Sequence, residues 1–80
     1  MTHEQKPESI SRDMLIGHPN RTYRHKARGS LYEVQGLATL QISGAYDMTE
    51  CCVYCCLTTG KMWVRPVSEF LDGRFEMVQP

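Results

Sequence analysis

The sequence predicts a mainly β domain, a small five-stranded barrel with one short helical turn before its last strand. Three observations predict it. From Arg21 onward, short runs rich in aromatic and β-branched residues alternate apolar with polar positions. Gly-containing turn signals, Gly29-Ser30, Thr59-Gly60 and Asp72-Gly73, separate these runs. A segment of five residues before the final run, Val67 to Leu71, is too short for a stable helix but suits a single helical turn.

The first 20 residues are polar and punctuated by Pro7, Gly17 and Pro19. Ile10, Met14 and Leu15 fit a two-turn helical stripe from Ser9 to Gly17, which needs a surface to dock on. The segment 1–20 therefore reads as a flexible or loosely docked arm, and 21–80 as the barrel domain. Thr22-Tyr23-Arg24-His25 starts the β pattern. In Leu31 to Ile42, Tyr32, Val34, Ala38, Leu40 and Ile42 alternate, and Gly36 interrupts them as a bulge or bend does. Ser43 to Thr49 reads as a loop, Glu50 to Thr58 as the third strand and Lys61 to Arg65 as the fourth, which Pro66 ends. Arg74 to Val78 closes the set. Five short strands with a helical turn before the last is the order of an SH3-like barrel.

Size and composition narrow the function. Eighty residues hold one domain with a modest core and leave little room for a deep enzymatic cleft. Nine basic side chains balance nine acidic ones, so global charge points to neither nucleic acid nor a membrane surface. No apolar run is long enough to span a bilayer, and the first residues lack the apolar core of a secretory signal, so a cytoplasmic location is expected. All four cysteines, Cys51, Cys52, Cys55 and Cys56, crowd into six residues. Secreted scaffolds spread theirs to staple distant loops, so reduced thiols are expected here.

Tyr23-Arg24-His25, Leu31-Tyr32-Glu33-Val34-Gln35-Gly36-Leu37-Ala38, Val53-Tyr54, Trp63-Val64-Arg65-Pro66, Phe70-Leu71 and Arg74-Phe75-Glu76 together resemble the DUF1653 family of short bacterial and phage domains. The resemblance covers residues 22 to 78. It implies a fold and a set of positions, since that family carries no established activity. The cysteines and the Ser43 to Thr49 loop depart from its pattern, so any role of the thiols would belong to this chain alone.

Three signals carry chemistry. Cys52-Val53-Tyr54-Cys55 has C-x-x-C spacing, yet on a strand Cys51, Val53 and Cys55 share one face while Cys52, Tyr54 and Cys56 share the other. Cys52 and Cys55 would stand roughly 10 Å apart on opposite faces, too far to bridge or chelate together. Small apolar core residues are the expectation for the thiols, with a metal or redox role for Cys52 and Cys55, aided by His18 or His25, as the weaker alternative. Arg21 to Arg28 holds four positive charges and no acid, fit for an anion but equally for a solvated edge. Trp63 and Arg65 share one strand face, with Arg65 within reach of Glu69 on the following turn. The binding site expected from these signals is a shallow groove in which Trp63 and Tyr32 or Tyr54 form a stacking wall. Arg24, His25 and Arg65 would supply its donors.

No catalytic triad, phosphate-binding glycine loop or metalloprotease helix is present, and a Cys-His pair with His25 would lie open to water, so no enzyme and no cofactor is expected. Two non-catalytic classes follow. One is a protein-interaction module, such as a phage accessory protein that binds a host protein through the aromatic and arginine groove. The other recognises a nucleotide or single-stranded nucleic acid through Arg24, Lys26, Arg65 and the aromatics.

Overall fold

The computed structural model describes residues 10–17 and 21–78. In chain order its elements are α1 (Arg12–Gly17), β1 (Thr22–His25), β2 (Leu31–Thr39), β3 (Glu50–Cys56), β4 (Met62–Pro66), α2 (Val67–Phe70) and β5 (Phe75–Met77). All strand pairs are antiparallel, in the order β4-β3-β2-β1-β5. The meander β1 to β4 thus gains β5 beside its first strand.

Local chemistry sets the connections. In the β1–β2 hairpin the Gly29 N–H donates to the His25 carbonyl at 2.7 Å, and the His25 N–H to Ser30 at 3.0 Å. The β3–β4 hairpin repeats this closure, with Gly60 N–H to Cys56 at 2.8 Å and Cys56 N–H to Lys61 at 2.9 Å. Gly29 and Gly60 sit at φ +78° and +77°, a left-handed conformation that a Cβ disfavours. Between β2 and β3 the ladder runs on to Leu40, whose N–H meets the Thr49 carbonyl at 2.8 Å, and ends in an exposed tip over 41–48.

The bulge expected at Gly36 is present: Val34 pairs with Tyr54, but Gly36 pairs with Val53. One extra residue reverses the alternation beyond it. Tyr32 and Val34 face the core, and after the bulge so does Leu37, while Ala38 is exposed. The expectation that Ala38, Leu40 and Ile42 continue the face of Tyr32 and Val34 beyond Gly36 is corrected accordingly, and β2 stops at Thr39.

The sheet is not closed into a barrel by hydrogen bonds among the described residues. Its edges, β4 and β5, have no ladder between them. Side chains fill that seam. Phe70 of α2 stacks on Phe75 of β5 with centroids 4.1 Å apart, and the Arg65 guanidinium of β4 lies 5.6 Å above the Phe75 ring. Paired strands must approach to about 4.8 Å, which this intervening layer prevents.

The core gathers Tyr23, Tyr32, Val34, Cys52, Tyr54, Cys56, Val67, Phe70 and Phe75, with Leu15 from α1. Of the segment read as an arm, residues 1–9 and 18–20 lie outside the described residues. The described part is docked, with Leu15 fully buried and Ile10 packed beside it. Arg12 adds a two-pronged ion pair to Glu50 of β3, with contacts of 2.7 and 2.6 Å. Glu50 is thereby held below the usual carboxylate range, although both groups are largely solvated, where such pairs contribute little.

Candidate functional site

The strand register decides which of the expected site residues meet. On β1, Tyr23 is buried, so His25 shares its face and Arg24 takes the opposite one. Arg24 lies there against Glu76, Nε to carboxylate 2.8 Å, away from every other member of the expected groove. The remaining five lie on the core face. His25 meets Phe75 edge-on at 5.0 Å, Tyr32 meets Tyr54 at 5.3 Å, and both tyrosines meet Phe75, at 6.0 and 5.6 Å. Trp63 stands opposite Tyr54 in the β3–β4 register, and Arg65 donates from Nε to the Tyr54 hydroxyl at 3.1 Å.

These contacts alter the chemistry expected of the group. Tyr32 and Tyr54 are 6% and 3% exposed, so their faces are spent on the core and no ligand can stack on them. Arg65 also faces Glu69 at 3.7 Å, the pairing expected from the sequence, and Glu69 reaches Arg74 at 3.8 Å. Arg74 is further held by Asp72 at 2.8 Å. Trp63 alone keeps an open ring, with the Lys61 ammonium 4.3 Å from its centroid. The expected groove is thus an aromatic core capped by ion-paired arginines.

His25 feels that cap. Partial burial, then the fields of Arg28, Arg65 and Arg74, lower its pKa below the ordinary value of 6.5. The folded state therefore binds fewer protons at His25 than the unfolded chain, and its contribution to stability is present above pH ~6.5 and lost as pH falls through the lower folded value. The His25 ring protons are expected to titrate below the free-histidine midpoint by NMR. A His25→Gln chain should lose the corresponding fall in melting temperature on acidification; a midpoint at or above the ordinary value would contradict the arrangement.

The four thiols split as the strand alternation predicts. Cys52 and Cys56 lie in the core, and Cys51 and Cys55 on the outer face. Cys52 faces Arg65 across the ladder and Cys55 faces Met62, so the C-x-x-C pair diverges. Burial pushes the Cys52 thiol up to about 12, which leaves it protonated and inert. His18 lies outside the described residues.

A second surface was not legible in the residue pattern. On the outer face Leu40, Ile42, Tyr46, Thr49, Cys51, Val64, Arg65 and Pro66 line an apolar groove of about 220 Å³ between β4 and the 41–48 tip. Of its walls Tyr46 is 71% exposed and Val64 59%, while Met48 of the same tip is 67% exposed and Met62 of β4 53%. Asp47 props the tip by accepting the Ile42 N–H at 3.0 Å, and Met48 holds φ +68°, a region non-glycine residues seldom occupy. The Ser43 to Thr49 loop departs from the family pattern, but that departure alone does not reveal a surface. Its only sequence signal is Tyr46 and Met48 inside a segment otherwise rich in turn formers.

Comparison of the chain with protein-family models, with curated proteins and with solved structures gives no match.

Proposed function

We propose that this domain is a non-catalytic protein-interaction module that engages its partner through the 41–48 tip and the outer face of β4. The observation that carries the proposal is an apolar groove walled by Tyr46 and Val64, with Met48 in the same tip as Tyr46 and Met62 on the same face of β4 as Val64, all four more than half exposed. Solvated apolar surface of that kind is retained against the hydrophobic effect where a partner covers it. The unfavourable backbone of Met48 supports the same reading, because strain concentrates where a side chain is held out for recognition. An SH3-like arrangement, with the meander returning its last strand beside the first after a helical turn, is the fold we assign to this curled sheet.

The anion-binding alternative draws less support, since Arg24, Arg65 and Arg74 each already face a carboxylate. A host protein remains the partner class for a bacterial or phage accessory domain of this size. Matched captures from host lysate with the wild-type chain and a Tyr46→Ser, Met48→Ser chain test the proposal. A specific partner should be retained at high salt, lost at least about tenfold in the double variant, and unaffected by Arg24→Ala. Equal capture by the double variant, or release by moderate salt, would overturn it.

A further inference from the structure

The β4 strand is an open edge, and its ladder phase can be worked out. The bond from Cys56 N–H to the Lys61 carbonyl makes that pair a hydrogen-bonded one. Antiparallel alternation then makes Tyr54–Trp63 and Cys52–Arg65 hydrogen-bonded pairs as well. The N–H and C=O of Met62 and Val64, and the C=O of Pro66, consequently point away from β3, where the sheet has no further strand among the described residues. Those outward groups sit among three consecutive exposed apolar residues, Met62, Trp63 and Val64.

We propose that a second copy of this chain covers this edge, in a two-fold antiparallel β4–β4 pairing centred on Val64. The match of each Met62 to the other copy's groove selects that occupant, and charge along the ladder selects that register. A two-fold centred on Trp63 would set Lys61 directly opposite Arg65 of the second copy, twice, and like charges across a ladder repel. Centring on Val64 instead sets Trp63 opposite Arg65 of the second copy, an aromatic ring against a guanidinium. The same register sets Met62 opposite Pro66, so that Met62 of each copy stands at the mouth of the other's groove, whose walls include Leu40, Ile42, Tyr46, Val64 and Pro66. The two Val64 residues exchange both backbone bonds, and each Met62 N–H meets the Pro66 carbonyl of the second copy. Only the missing Pro66 N–H leaves a gap, and it ends the ladder on each side. An isologous contact of this kind closes at two copies, and a formal net charge of zero sets no long-range repulsion between them.

A dimer closed in this way covers Met62, Val64 and the groove that the partner reading assigns to another protein, so the two occupants exclude each other and the oligomeric state of the isolated chain tells them apart. Sedimentation velocity under reducing conditions, from about 10 µM to about 1 mM, tests the pairing together with amide exchange at Met62 and Val64. The wild-type chain is expected to dimerise with rising concentration, and both amides to gain protection as it does. Val64→Pro removes an N–H that β3 does not use, and Met62→Lys places a charge at the groove. Each should weaken the dimer at least tenfold, and Met62→Lys decides alone if the proline variant does not fold. A wild-type chain that stays monomeric throughout would overturn the pairing, as would a dimer that survives Met62→Lys or one whose Val64 amide stays unprotected. An edge filled only when another protein is added would point to a heterologous strand and overturn it equally.

Discussion

Phe75→Ala is expected to leave the domain largely unfolded at ambient temperature or close to it. Phe75 comes from a strand of only three residues, yet its ring is the hub of the core. It stacks on Phe70 at 4.1 Å, meets His25, Tyr32 and Tyr54 edge-on, and carries the Arg65 guanidinium on its face. Truncating a buried phenylalanine costs about 3–5 kcal/mol through lost transfer energy and the cavity left behind. A chain of this length has a total stability of roughly 4–12 kcal/mol at typical values per residue. One substitution therefore removes about a quarter of the whole at the least. The seam makes the loss worse, because Phe70 and Phe75 stand where a closed barrel would have a ladder. Thermal unfolding by circular dichroism should show a drop of roughly 12–40 °C, at about 4–8 °C per kcal/mol. A midpoint within a few degrees of wild type would mean that the seam is held by something else.

Leu15→Ala is the second large effect expected, from a residue outside the sheet. Leu15 is fully buried against the core, while its neighbour Ile16 is 51% exposed. Buried Leu→Ala changes cost about 2–5 kcal/mol, and exposed substitutions usually stay within about 0.5 kcal/mol. The contrast between Leu15→Ala and Ile16→Ala in denaturant midpoints thus separates a docked helix from a loose one. Near-equal midpoints would show that α1 contributes no core. With no more than two turns of its own, α1 draws its stability from this docking and not from helix propensity.

The strand set, its turns and the helical piece before the last strand were legible because each has a local cause. Alternation marks a strand, a glycine permits the left-handed turn residue, and Pro66 ends β4. The bulge at Gly36 was legible for the same reason, but its consequence was not. Whether a bulge restores or reverses the phase depends on how the partner strand continues, and that put Leu37 in the core in place of Ala38. Closure was hidden too, because it depends on side chains from α2 and β5 meeting across the sheet.

The expected site fared unevenly. Alternation within one strand placed Trp63 and Arg65 together, and Arg65 beside Glu69. It also implied that adjacent Arg24 and His25 diverge, a conclusion that requires knowing which of the two shares the core with Tyr23. The tyrosines were legible as aromatic, but burial depends on the whole curl of the sheet. The outer groove, built from residues as far apart in sequence as Leu40 and Pro66, has no local signature at all.

The pairing of β1 with β5 joins Tyr23 to Met77 and His25 to Phe75. Contacts separated by most of the chain are slow to form, because a long loop must close before they contribute. During synthesis, the β2–β3 and β3–β4 hairpins can assemble as soon as they leave the ribosome. The hub of the core, however, emerges only after every other buried core residue. Until then the nascent chain displays Tyr32, Tyr54 and Phe70 without the Phe75 ring that each of them meets, a sticky intermediate that chaperones would meet. Premature termination anywhere before residue 75 therefore yields a fragment with strands but no centre, suited to proteolysis and not to function.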